Sequence, residues 1–119
     1  MQSNRAILVV DDEPLVLEWV VEFLGEFGLE VFSAESGGQA LAVLEAHPEI
    51  GVLFTDVTMP GMDGGQLAEA VRARHPDVKV LITSGKPLPE RFHLPDGGVF
   101  IPKPYRPKAI ADALSRILS

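Results

Sequence analysis

Cysteine is absent from the chain. That excludes a disulfide framework and a thiolate metal site, and makes a reducing cytoplasm the expected compartment. Basic residues are few: 10 Lys and Arg stand against 17 Asp and Glu, for a formal net charge of −7 and a pI near 4.8. Phosphate backbones are bound by clustered Lys and Arg, so no nucleic acid is expected to bind this chain, and any DNA-binding output belongs to another. No apolar run approaches the ~18 residues that a membrane span needs, so no membrane partner is expected. The opening MQSNRAILVV has one arginine and meets acidic residues at once, unlike a signal peptide. There is no repeat at a fixed period and no low-complexity tract. At 119 residues the chain has no room for a second folded module, so residues 1–119 are expected to form a single domain.

What is present is an alternation. Ala6 to Val10 is a continuous apolar, β-branched run, the mark of a strand buried on both faces. Asp11-Asp12-Glu13-Pro14 then supplies acids at a cap and proline in a first helical turn. Val16, Val20, Phe23, Leu24 and Phe27 follow at helical spacing, with Gly28 as the expected C-cap. The same succession recurs: a strand over 30–34, a helix over 39–46 with Ala40, Leu41 and Leu44 inward, closed by Pro48, and a strand over 51–55 ending at Asp56. A helix over about 65–75 stopped by Pro76, strands over 78–82 and 99–101, and a last helix over 107–118 complete the series. Strands alternating with helices imply right-handed crossovers and a parallel sheet covered on both faces.

In such sheets ligands bind beyond the carboxyl ends of the strands. The residues found there are Asp11 and Asp12, then Asp56, then Thr83 and Ser84, then Lys103, which stands between Pro102 and Pro104 in FIPKPY. Each has a structural explanation alone: Asp11 and Asp12 as caps, Asp56 as a turn former, Thr83 as a strand-end hydroxyl, Lys103 as a charge that ends a strand. Together they converge on one edge. Carboxylates brought to ~4 Å repel by about 4 kcal/mol per pair at an effective dielectric near 20, so the site calls for a cation. Oxygen-only ligands suit a hard ion, and few carboxylates with room for water suit Mg²⁺ better than Ca²⁺. Magnesium, an exposed carboxylate, a hydroxyl and a lysine make a phosphoryl-transfer site with Asp56 as nucleophile, Thr83 as hydrogen-bond donor and Lys103 as counter-charge.

VVDDEP (9–14), TDVTMPGMDG (55–64), ITSG (82–85) and KP (103–104) give the chain, over nearly its whole length, a resemblance to the receiver domain of two-component response regulators. The resemblance implies a flavodoxin-like α/β fold, a doubly wound five-stranded parallel sheet in the order 2-1-3-4-5. It implies a signalling domain rather than an enzyme, one that catalyses only its own phosphorylation and slow dephosphorylation. Asp56 would be the phospho-acceptor, supplied by a sensor histidine kinase, a histidine phosphotransfer protein or a small donor such as acetyl phosphate. Asp12, Asp56 and the Thr58 backbone carbonyl would hold Mg²⁺, with Asp11 acting largely through water. Thr83 would be the switch hydroxyl, Lys103 the phosphate counter-ion on a cis Lys103-Pro104 peptide, and Phe100 the strand-five aromatic paired with the switch. Thr58 and Gly85 stand where the family tunes dephosphorylation.

The family usually has a full fourth helix between strands four and five. Here that stretch reads SGKPLPERFHLPDGG, and proline inside a helix costs about 3 kcal/mol. A missing helix, or one short turn, is therefore expected, and residues 84–98 become the candidate signalling loop. His47, His75 and His93 are expected in solvent, apart from the acids, and Trp19 partly exposed on helix one. An aspartate-nucleophile phosphatase would want a second Asp where Thr58 stands. A flavodoxin-like cofactor binder would want a Ser/Thr/Gly-rich first loop, not Asp-Asp-Glu. An unphosphorylated scaffold would not need the five matching residues, and the sequence leaves the oligomeric state open.

Overall fold

The computed structural model describes residues 6–57, 64–84, 98–102 and 106–118. Among them the order is β1 (Ala6–Val10), α1 (Pro14–Gly25), β2 (Glu30–Ala34), α2 (Gly37–Ala46), β3 (Ile50–Asp56), α3 (Gly64–Arg74), β4 (Lys79–Ser84), β5 (Val99–Pro102) and α4 (Pro107–Leu118). The five strands form one sheet in the order β2-β1-β3-β4-β5, and every pairing is parallel. The expected α/β architecture and strand order are therefore found. Of the stretch 84–98 expected to lack a full helix, residues 85–97 lie outside the described residues.

Period-two alternation divides the core between the two faces of the sheet. Leu8, Val10, Leu53 and Ile82 point to the side covered by α2 and α3, where Ala40, Leu44, Leu67 and Val71 meet them. Ile7, Val9, Val52, Phe54 and Leu81 point to the other, where Leu17, Val20 and Leu24 of α1 and Ile110, Ala113 and Leu114 of α4 close over them. Both faces of β1 and β3 are buried, which is why their sequences are continuous apolar runs rather than alternating ones.

Local signals fix the helix ends. Glu13 is the N-cap of α1 and Pro14 opens the helix. At α2 the Ser36 hydroxyl accepts the Gln39 N–H at 3.2 Å, while Gln39 Oε1 accepts the Glu35 N–H at 2.6 Å. These bonds satisfy two donors at that end and carry α2 two residues earlier than the apolar spacing suggests. Helix α1 stops sooner than expected: Glu26 is its C-cap, and Gly28, at φ 81°, turns the chain into β2. Phe27 consequently lies outside the helix, 45% exposed, while Leu17, which the spacing left out, is among the residues that α1 buries.

Candidate functional site

The carboxyl ends of the central strands deliver the acids to one place. Asp11 follows the last residue of β1 and Asp56 is the last residue of β3, so pairing of β1 with β3 brings them side by side. Asp11, Asp12 and Asp56 each offer a carboxylate oxygen, and these oxygens lie within 4.8 Å of one another. Asp11 and Asp56 are buried, Asp12 exposed. Asp11 is held by its own turn: its Oδ1 accepts the Glu13 N–H at 2.9 Å, and its N–H donates to the Ala34 carbonyl at 3.2 Å. The arrangement concentrates negative charge at a sheet edge that opens to water through Asp12, and the all-oxygen donor set fits a hard divalent cation.

Asp56 is register partner of Thr83 across β3 and β4. The two strand ends are tied just past that pair, where the Val57 N–H donates to the Thr83 carbonyl at 2.9 Å. Thr83 is 1% exposed, and its hydroxyl oxygen has no hydrogen-bond partner among the described residues. A buried hydroxyl left so costs about 1–3 kcal/mol. That cost makes Thr83 a ready donor to an acceptor placed on Asp56. Thr55, one residue earlier, is different: its hydroxyl donates to the Asp56 carbonyl at 3.0 Å.

Thr83 and Ser84 lie within β4 rather than after it, because the strand runs two residues beyond its apolar core. Phe100, on β5, is register partner of Ile82 and packs half-buried against the core on the α2 and α3 side. Thr58, Lys103, Pro104, Gly85 and His93 lie outside the described residues. The site residues that are described, Asp11, Asp12, Asp56 and Thr83, come together as the sequence pattern requires.

Two histidines depart from expectation. His75 is not free in solvent: its Nε2 lies 3.1 Å from Glu45 Oε2, with its side chain 21% exposed. The His47 ring is tilted on the Phe32 ring at a centroid distance of 4.2 Å, and its Nδ1 lies 3.5 Å from Glu49 Oε2. The contacts of His75 with Glu45 and of His47 with Phe32 cross between elements, which spacing along the chain does not report. Trp19 is partly exposed, as expected, and stacks on Phe23 with centroids 5.7 Å apart.

The family model of the response regulator receiver domain matches residues 7–115. Sensor kinase CckA of Brucella abortus is 33% identical over 123 residues, which cover 99% of this chain but 13% of that protein. Two-component response regulator ORR11 of Oryza sativa subsp. indica is 30% identical over 117 residues, covering 94% of this chain and 80% of that one. The solved CheY-like receiver domain protein from Methanospirillum hungatei superposes with a TM-score of 0.89 at 28% identity, over 97% of this chain and 94% of the other. The chain thus spans a small part of the sensor kinase and most of the plant regulator. With the sheet order, the carboxylate cluster and the match over residues 7–115 in agreement, the chain belongs to the response regulator receiver domain family.

Proposed function

We propose that the chain is a single phospho-accepting domain in which Asp56 takes a phosphoryl group from the phosphohistidine of a sensor histidine kinase or histidine phosphotransfer protein. A carboxylate oxygen of Asp56 forms the new O–P bond as the P–N bond breaks; the imidazole leaves with the electron pair and takes up a proton. The observation that carries this reading is the convergence of Asp11, Asp12 and Asp56 beside a buried Thr83 hydroxyl that has no partner among the described residues.

The donor set fits Mg²⁺, which Asp12, Asp56 and the Thr58 carbonyl would hold directly, with Asp11 acting through water. When bound, the ion offsets charge on the phosphoryl oxygens. The rest falls to the chain's own groups. Asp56 is held at a strand end before the donor arrives, Thr83 donates to a phosphoryl oxygen, and Lys103 supplies the counter-charge. Drawing the Thr83 hydroxyl toward the phosphoryl group opens space beside β5, into which Phe100 shifts, and the 84–98 loop changes its partner-binding population. The domain acts on no outside substrate; it catalyses its own phosphorylation and slow dephosphorylation, and its place is the cytoplasm.

Transfer from a phosphorylated histidine kinase core tests the partner class. Label is expected to move to the wild-type chain and not to Asp56→Asn; equal labelling of the two overturns the assignment.

A further inference from the structure

Before its terminal acid, β3 carries a single polar side chain, that of Thr55. The residue is wholly buried, at 0% exposure. Its register partners are Val10 on β1 and Ile82 on β4, so an aliphatic side chain would simply extend the apolar run. A hydroxyl buried in such surroundings costs free energy unless it finds a partner. This one donates to the carbonyl of Asp56, the next residue, at 3.0 Å.

The bond falls where the ladders give out. Val10 with Thr55 is the last pair of β1 and β3, and Asp56 with Thr83 the last pair of β3 and β4. The peptide that joins Asp56 to Val57 therefore stands at the end of both ladders, and it is gripped at both of its polar ends. The Thr55 hydroxyl donates to its carbonyl at 3.0 Å, and its N–H donates to the Thr83 carbonyl at 2.9 Å. Because the unit is planar, two bonds at its opposite ends fix its tilt, which one alone leaves free. That tilt is the ψ of Asp56. Successive strand residues send their side chains to opposite faces. Thr55 shares a face with Leu53 and Val57, which pack on the α2 and α3 side. Its hydroxyl thus braces the Asp56 backbone from the face opposite the Asp56 carboxylate.

We propose that Thr55 is a positioning residue for phosphoryl transfer. By bracing the Asp56–Val57 peptide it sets the direction of the Asp56 carboxylate, and of the chain leading to Thr58, before metal or donor arrives. The inference rests on Asp56 being the phospho-acceptor. A misplacement of ~1 Å at a reacting group is enough to cost about 10²-fold in rate, and the outer partners of metal ligands are worth ~10–100-fold in affinity or activity.

The test compares the full chain as wild type, Thr55→Val and Thr55→Ser. Hydrogen exchange at the Val57 amide is read in the metal-free proteins, and the rate of phosphoryl uptake from acetyl phosphate is read by intact mass across a Mg²⁺ series. Valine keeps the branched shape and deletes the donor. Thr55→Val is expected to exchange Val57 faster and to lose ~10–100-fold in uptake rate at saturating Mg²⁺. Thr55→Ser, which keeps the donor, is expected to restore most of that rate. A folded Thr55→Val with the wild-type rate overturns the inference and leaves Thr55 as a satisfied core hydroxyl. A Thr55→Ser as slow as Thr55→Val also overturns it, since packing and not the hydroxyl would then be the cause. If Thr55→Val does not fold, Thr55→Ala is read in the same way. A wild type that takes up no phosphoryl group sinks the phospho-acceptor reading itself; exchange at Val57 then judges the brace separately, and equal exchange in wild type and variant overturns it.

Discussion

Asp56 and Thr83 face each other as the last register pair of β3 and β4, both buried, and the Thr83 hydroxyl has no hydrogen-bond partner among the described residues. An acceptor is missing where a phosphoryl group on Asp56 would supply one. Thr83→Val keeps the shape and removes the orphan hydroxyl. Urea unfolding is expected to show the variant stabilised by about 1 kcal/mol. The same variant is expected to lose the change in hydrogen exchange at 84–98 that a beryllofluoride phosphoryl mimic produces in the wild type. Destabilisation by 1 kcal/mol or more would mean that the hydroxyl already has a partner.

The carboxylate cluster is held together against its own repulsion. Asp12→Asn removes one charge from three whose oxygens lie within 4.8 Å. Without Mg²⁺, its melting temperature is expected to rise by ~4 °C for each ~1 kcal/mol of repulsion relieved. With Mg²⁺ the order reverses, because the wild type gains stability from the ion and the variant gains little. Thermal melts at both conditions check this.

Burial, not hydrophobicity alone, sets the cost of truncation. Leu53 is fully buried at the centre of the sheet and Leu15 is 82% exposed on α1. Leu53→Ala is expected to cost about 2–5 kcal/mol, and Leu15→Ala to stay within ~0.5 kcal/mol. Chemical denaturation of the two side by side measures both.

Gly28 separates strain from crowding. Its φ is +81°, yet a Cβ built there meets nothing within 4 Å. Gly28→Ala is therefore expected to cost about 1–2 kcal/mol through backbone conformation, and Gly28→Asn less, since asparagine tolerates the left-handed region. Equal losses for the two would point to a contact instead.

Much of this was legible in the chain. Ala6–Val10 and Pro107–Leu118 could be bounded from sequence because a strand buried on both faces is an unbroken apolar run and a last helix carries its apolar face at regular spacing. Asp11, Asp12 and Asp56 were legible as a site because each stands where such a run stops. Periodicity misplaced Phe27, since Gly25 to Gly28 can continue or end a helix and only packing decides. It also missed the contact of His75 with Glu45, which depends on how α2 and α3 lie against each other.

The central claim is that Asp56 accepts a phosphoryl group. The most direct measurement is the intact mass of the chain after incubation with Mg²⁺ and a donor, acetyl phosphate first and a phosphorylated kinase core second, with Asp56→Asn beside it. One added phosphoryl mass in the wild type and none in the variant is predicted. No addition from either donor, or the same addition in both proteins, would contradict the account.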